Sequence, residues 1–592
     1  MSCDKLVFDL SQEVEGSPNV FVKKDWLNIL DNQNQNYSSN QTVIDTSQLS
    51  NSNKYMSYRE AYMLMPMLLT VSTAAGQFTP ATANTSADYC VGLKNWFGSI
   101  IHSFTVDYMG TTIIQQTPFI NMWNSFKLMT SLSWNDVITQ SSTIGFYPDD
   151  PLSFGFIRTG DAPSPYGQGV FNNMNAPSNA VVGLGIADRF NNYEFAEGNI
   201  GFSRRQQFIN FDLQGSAGPG GATYASLISQ QSVNNLWKSY IFNKTNNALG
   251  GIMEIAITAT IYLKHIHSFF SMTPLLKGCF LKLTANLNNT VVSINNTGNQ
   301  GAIGSSVINS VAVPVGGVCP IMVACSAIQP VPQGASNLGG LAGGANPATY
   351  TFTLQVGGRT LNPGVANTAG YLPSPLAQSV YLYVPAYTFN PVFEQAYLSS
   401  PIKQIKYTDI YQYQVLNVGA NNGNFNNLIT NGIANIKSVL IIPFYSATPN
   451  PPTNGLPVGL PVYQSPFDPA GCGPTSPLCL LTNFNVVISG QNAIYNTERY
   501  AFEQFNNQLY GQNSVNGGMT DGLCSGLINS LGFEMNYCYY YVNVSRMLPV
   551  EESVPKSVQI IGQNQSALPL DLFVFIEYGV DISIDILSGA RV

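Results

Sequence analysis

Val380-Tyr381-Leu382-Tyr383-Val384-Pro385-Ala386-Tyr387 is echoed near the other end of the chain by Asp571-Leu572-Phe573-Val574-Phe575-Ile576-Glu577-Tyr578. Both are strand-like runs rich in β-branched and aromatic residues. Two earlier pairs keep the same order. Phe104-Thr105-Val106-Asp107-Tyr108-Met109-Gly110 matches Phe484-Asn485-Val486-Val487-Ile488-Ser489-Gly490, with the same spacing from phenylalanine to glycine. Before them come Met63-Leu64-Met65-Pro66-Met67 and Leu440-Ile441-Ile442-Pro443-Phe444. Preserved landmark order across weak letter identity is the signature of a duplicated β-unit.

The offsets locate what one copy has and the other lacks. Pro66 and Pro443 are about 377 residues apart and Phe104 and Phe484 about 380, but Tyr387 and Tyr578 only about 191. The first copy therefore carries about 189 extra residues. A further pair, Met272-Thr273-Pro274 and Met547-Leu548-Pro549, divides this excess into about 105 residues before Pro274 and about 84 after it. Two excursions are expected in the first copy, at about 135–250 and 285–375. Long loops at the ends of a sandwich cost little additional closure entropy.

Residues 1–20 read as a polar N-terminal arm. A short helix is expected at Val22–Leu30, with Val22, Trp26 and Ile29 on one face. Beyond it, short strand-like runs dominate, among them Ile252–Leu263, Phe280–Thr284, Ile402–Tyr407 and Val558–Ile561, with a brief helical signal at Tyr500–Phe505. The stretch 283–358 contains no Asp, Glu, Lys or Arg and includes the glycine-rich run Gly334–Gly344. Its strand signals at Val307–Val311 and Tyr350–Leu354 favour an ordered element packed on a neighbouring subunit over a flexible loop, because exposed they would form an unprotected edge.

In a chain of 592 residues only 9% are charged, against roughly 25% in an average soluble protein, while 45% are hydrophobic. The polar surface must then be built from amides and hydroxyls, which lose less than ions do on burial against a neighbour. Secreted β-proteins share this composition. A formal net charge of −8, with basic clusters no longer than Lys23-Lys24 and Arg204-Arg205, gives no footprint for specific nucleic-acid binding. The first residues lack a secretory signal pattern, and no apolar run reaches the roughly 18 residues of a membrane-spanning helix. Nine scattered cysteines, with Cys319/Cys325 and Cys472/Cys479 as the only close pairs, fit free buried thiols better than a zinc site.

Catalytic chemistry is sparse. The three histidines are His102, His265 and His267. The last two, placed on an expected strand, would share one side, and two ligands do not make a catalytic zinc site. Neither a zincin motif nor a phosphate loop is present. Asp149-Asp150 before Pro151, Glu551-Glu552, and Gly160-Asp161 after Arg158-Thr159 read as turn and loop residues rather than as an acid/base pair. No catalytic, cofactor-binding or metal residue is assigned, and the chain is read as a non-enzyme.

Asn19-Val20-Phe21-Val22-Lys23-Lys24-Asp25-Trp26-Leu27, Val43-Ile44-Asp45-Thr46-Ser47, Tyr58-Arg59-Glu60-Ala61-Tyr62, and Tyr383 to Pro391 continuing through Glu394 and Tyr397 to Tyr407 together resemble the major capsid proteins of polinton-like viruses and virophages. The resemblance runs from residue 19 to the C-terminus. It implies a mainly β, double jelly-roll fold: two eight-stranded sandwiches, the first at 21–398 with the large insertions and the second at 399–592. It further implies homotrimeric pseudo-hexagonal capsomers that tile an icosahedral shell. The implied partners are neighbouring capsomers, penton and minor capsid or cement proteins, in the virion. The surfaces expected to carry contacts are 283–358, including the loop 335–344, and the segment around Trp26. Two other readings stand beside this one: a surface adhesin or receptor-binding β-protein, and a β-sandwich carbohydrate-active enzyme.

Overall fold

The structure is a computed structural model. It describes residues 19–591 except 74–89, 149–205, 209–239, 247–249, 297–305, 325–347, 358–377, 447–460, 495–499, 510–525, 546–552 and shorter gaps of three residues or fewer. The arm, Arg204-Arg205, Asp149-Asp150, Arg158–Asp161, Gly334–Gly344, Met547–Pro549 and Glu551-Glu552 lie outside the described residues.

The first half contains β1 (Phe21–Leu30), β2 (Gln41–Asp45), β3 (Tyr55–Met56), β4 (Tyr62–Thr73), β5 (Cys90–Leu93), β6 (Ile101–Tyr108), β7 (Thr111–Ile114), β8 (Gln206–Phe208), β9 (Tyr240–Asn246), β10 (Gly250–Tyr262), β11 (Leu281–Leu287), β12 (Thr290–Asn296), β13 (Ser306–Ala312), β14 (Ile321–Ala324), β15 (Ala348–Val356) and β16 (Tyr381–Phe389). The second half contains β17 (Ile402–Val418), β18 (Gly423–Ile433), β19 (Ile436–Tyr445), β20 (Leu481–Ile488), β21 (Gln491–Asn492), β22 (Tyr540–Asn543), β23 (Lys556–Asn564) and β24 (Leu570–Asp585). Helices are α1 (Ile120–Ser131), α2 (Trp134–Ile144), α3 (Leu263–Ile266), α4 (Ser268–Met272), α5 (Pro391–Leu398), α6 (Phe502–Leu509) and α7 (Ser530–Asn536).

Strand order identifies the fold. The second half forms two four-stranded sheets, β17-β24-β19-β22 and β18-β23-β20-β21. With the eight strands of its described residues counted in sequence, these orders are first-eighth-third-sixth and second-seventh-fourth-fifth, the order of a jelly roll. The first half repeats it. β4 is flanked by β16 on one edge and β10 on the other, and β1 closes on β16. The facing sheet runs β2-β11-β6-β7. The chain is a double jelly-roll. In the first sandwich the sheet is enlarged to nine strands, because β15 takes the place beside β4 where β16 leaves it, and β12 and β13 follow.

The sequence landmarks fall on equivalent strands. Phe104 and Phe484 are buried on β6 and β20, the fourth strand of each sandwich. Each strand ends in a two-residue hairpin whose residues both have positive φ: Met109 and Gly110 (49° and 84°), Ser489 and Gly490 (49° and 84°). That backbone matches the twist of the strands it joins. The other two landmark pairs match in strand but are out of step by one residue. Met63, Leu382 and Ile29 sit opposite one another and face the first sandwich's interior, so Pro66 faces outward. Ile441, Val574 and Tyr540 are likewise opposite one another, and Tyr540 packs on Phe484 of the facing sheet, so Pro443 faces inward. A one-residue slip inverts every side chain.

Two local expectations are corrected. Val22–Leu30 is not a helix but the edge strand β1, paired antiparallel with β16 from Phe21↔Phe389 to Leu30↔Tyr381. Val22 and Trp26 stay on its outer face, and Ile29 turns into the core. His265 and His267 are not on a strand: β10 stops at Tyr262, His265 lies in α3, and His267 caps α4 by accepting from Phe269 N–H through Nδ1.

Candidate assembly surfaces

The two sandwiches are joined by an apolar seam built around α1. Ten of its twelve residues are buried, leaving Lys127 and Ser131 at its rim. A helix with apolar side chains on every face must be covered on every side. One side packs on its own sandwich. The other lies on the outer face of the second sandwich's β22–β24 sheet. Phe119 meets Phe573 at 4.8 Å between ring centroids, Trp123 meets Phe575 at 6.2 Å, and Phe126 lies between Tyr539 at 5.2 Å and Tyr541 at 5.5 Å. Lys127 Nζ stands 3.9 Å from the buried carboxylate of Glu577, which also accepts from Ser438 Oγ at 2.8 Å. Sequence reasoning missed this helix. Its signal was the spread of Ile120, Met122, Trp123, Phe126, Leu128 and Met129 over every side of one helix.

Polar groups fix the seam's register. Thr117 Oγ1 donates to Ile410 O at 2.8 Å, Tyr407 OH to Ile113 O at 2.5 Å, and the fully buried Lys94 to Ser465 O at 2.7 Å. Asp409 is a buried node. It accepts from His267 Nε2 at 3.3 Å, Tyr578 OH at 3.3 Å, its neighbour Ile410 N at 2.8 Å and Gln115 N at 3.5 Å. An Asp–His pair invites a nucleophile, but both ring nitrogens of His267 are engaged, Nδ1 by a backbone N–H. No hydroxyl is activated by it. His102 and His265 are pushed down to about 4, both by burial, with the Lys264 charge adding to the shift of His265. Neither is tuned for proton transfer near neutrality. Among the described residues no group of three or more His, Cys, Asp or Glu could hold a metal ion, and no helix is long and apolar enough to cross a membrane. An open cavity of about 400 Å³ beside Tyr37, Asn289 and Pro314 is lined by amides, hydroxyls and apolar groups, without acid, amine or imidazole.

Among the described residues, no helix covers the aromatic outer row of the corresponding sheet of the first sandwich. Tyr383, Tyr62 and Tyr262 stand opposite one another on β16, β4 and β10. Tyr62 stacks on Tyr383 at 5.1 Å and meets Tyr262 at 5.5 Å and Trp26 at 5.7 Å. On β1, Trp26 and Leu30 flank Asn28, which stands opposite Tyr383, and Val22 lies further along; Val22, Trp26 and Leu30 are 68%, 49% and 47% exposed. Contiguous exposed apolar groups of this kind mark interaction surfaces. The edge is also guarded by charge, as Lys24 pairs with Glu60 at 2.5 Å and Asp25 with Lys54 at 2.5 Å. Of the two expected contact regions, the Trp26 segment forms this face. The uncharged stretch 283–358 supplies β12, β13 and β15, which continue the same sheet; 335–344 lies outside the described residues.

No family model matches the chain, and no curated protein matches it. Among solved structures it is similar to a chain of the Sputnik virophage (11% identity, 97% of this chain and 88% of that one, TM-score 0.45) and to the mavirus major capsid protein (9%, 98% and 92%, TM-score 0.43). It is also similar to the Faustovirus major capsid protein (9%, 98% and 94%, TM-score 0.39). At these values the fold rests on the chain's own strand order and the function on its surfaces.

Proposed function

We propose that this chain is a viral major capsid protein of the virophage and polinton-like type. It divides into an arm at 1–20, a first jelly roll at 21–398 and a second at 399–592, and assembles as a homotrimer. Three chains present six sandwiches, so a three-fold object gains a near-hexagonal outline and tiles an icosahedral shell. The observation that carries the reading is the duplicated jelly roll fused by α1, with an apolar face that no described helix covers on one copy. Low charge supports it, since amide- and hydroxyl-rich walls can be buried against neighbours on several sides. Function in this reading resides in interfaces with neighbouring capsomers and with penton and minor capsid proteins in the virion, without enzymatic activity or specific nucleic-acid binding.

Light scattering behind a sizing column tests it. The purified protein is expected at three times its 64.1 kDa chain mass, stable to dilution. A monomer under all assembly conditions refutes the proposal.

A further inference from the structure

One cavity at the seam has chemically one-sided walls. It encloses about 240 Å³ between α1 from Trp123 onward, α3 and α4 of the first sandwich, and Thr408 and Ile410 on β17 of the second. Acids outnumber bases 32 to 24 in the whole chain, yet no Asp or Glu lines this cavity, whereas Lys127, Lys264, His265 and His267 do. Two carboxylates stand close by without lining it, and each is already engaged: Asp409 by His267 Nε2 and Tyr578 OH, Glu577 by Ser438 Oγ and, at 3.9 Å, Lys127 Nζ. The donors of the walls are not used up. Lys264 is exposed, lies 5.4 Å over the Tyr262 ring and has no acid partner among the described residues. His265, set edge-on to Trp96 and Tyr262, has a buried Nε2 without a hydrogen-bond partner among the described residues. A buried polar atom left unpaired is costly, so it calls for a partner from outside the chain.

We propose that this cavity binds a phosphoryl oxyanion, held by the ammonium groups of Lys127 and Lys264, the imidazole of His265 and the hydroxyl of Ser271. Hydrogen bonds from an ammonium group to phosphate oxygens are charge-assisted and roughly twice as strong as neutral ones. The cavity is smaller than the roughly 300–1,000 Å³ of sites for drug-sized molecules, so it takes a small charged group rather than an extended chain. Its walls come from both sandwiches. A bound anion therefore ties α1 and α3 to β17 and stabilises the closed seam by mass action. One chain supplies every wall, so occupancy does not depend on assembly into trimers. Free phosphate and the headgroup of a phospholipid present the same oxygens, and the test separates the two.

Isothermal titration calorimetry of the full chain with inorganic phosphate, at an ionic strength held constant with sodium chloride, is expected to show one saturable site per chain. The melting temperature should rise with phosphate and not with the equivalent chloride. Lys264→Gln should weaken binding at least tenfold, and Lys264→Arg should restore most of it. Lys264 is exposed, so the substitution leaves the chain folded, which an unchanged circular dichroism spectrum verifies. Lys406→Gln is the control: its side chain is 72% exposed beside Asp581, away from the cavity, and it should bind as wild type does. Flotation with vesicles of phosphatidylcholine, with and without phosphatidic acid, tests the second source. Saturable binding of free phosphate assigns a soluble ion; binding only to the phosphatidic acid vesicles, lost in Lys264→Gln, assigns a lipid headgroup. No saturable binding of either probe, binding that Lys264→Gln leaves within twofold of wild type, or an equal loss in Lys406→Gln overturns the proposal and leaves the capsomer reading standing.

Discussion

Replacing Phe126 by alanine probes the seam directly. The ring is 1% exposed and lies between Tyr539 and Tyr541, at 5.2 and 5.5 Å. Deleting a buried phenylalanine costs about 3–5 kcal/mol through lost transfer energy and the cavity left behind. Tyr541 sits opposite Leu440, which sits opposite Phe575, so the cavity opens over the middle of the second sandwich's sheet. In a unit of 150–250 residues each kcal/mol moves the melting point by roughly 2–4 °C, giving a shift of roughly 10 °C. Differential scanning calorimetry at fixed protein concentration is the assay. The expected trace shows the second sandwich melting early and apart from the first, with faster amide exchange in α1 and residues 539–541. Phe126→Leu should recover more than half of the loss. A single transition within about 2 °C of wild type in Phe126→Ala, equivalent to under about 1 kcal/mol, would refute the claim that α1 bonds the sandwiches.

Three further outcomes follow from named groups. Gly110→Ala and Gly490→Ala, both at φ 84° with open space where a Cβ would sit, should each cost about 1 kcal/mol by urea titration, through backbone strain alone; unequal costs would break the equivalence of the two hairpins. His102 and His265 are held neutral, with folded values near 4 against 6.5 unfolded. The stability they contribute is complete above pH 6.5 and is lost as pH falls toward 4, by about 3 kcal/mol each at the lower end. His102→Gln and His265→Gln should flatten that decline in a melting series from pH 7 to 4. Cys319, Cys472, Cys479 and Cys538 are buried, and burial pushes the Cys472 and Cys538 thiols up to about 11 and about 12. Iodoacetamide at pH 8 should leave these four unmodified until the protein is denatured, as read by peptide mass spectrometry.

Much of this architecture was legible in the sequence where local chemistry sets the backbone. The Met109-Gly110 and Ser489-Gly490 turns need positive φ, and glycine after a strand announces them. Strand identity at β4, β16, β19 and β24 was legible from β-branched and aromatic runs. Register was not, because strands buried on both faces lose the alternation that fixes which side a residue takes. β1 was misread because Val22, Trp26 and Ile29 also satisfy a helical spacing; its strand form is decided by pairing with β16, some 355 residues away along the chain. The short helices α3 and α4 break the strand that would have aligned His265 with His267, and the seam node at Asp409 joins residues the sequence holds 142 apart. The outer face was half legible. The segment around Trp26 was expected to carry contacts, whereas the tyrosine row exists only once β16, β4 and β10 are in register.

The most direct test of the account is electron cryomicroscopy of the purified oligomer. It should show a three-fold particle with six sandwich-shaped densities in a ring, with α1 lying between the two sandwiches of each chain. A particle with two-fold symmetry, or isolated two-sandwich monomers at all concentrations, would contradict it.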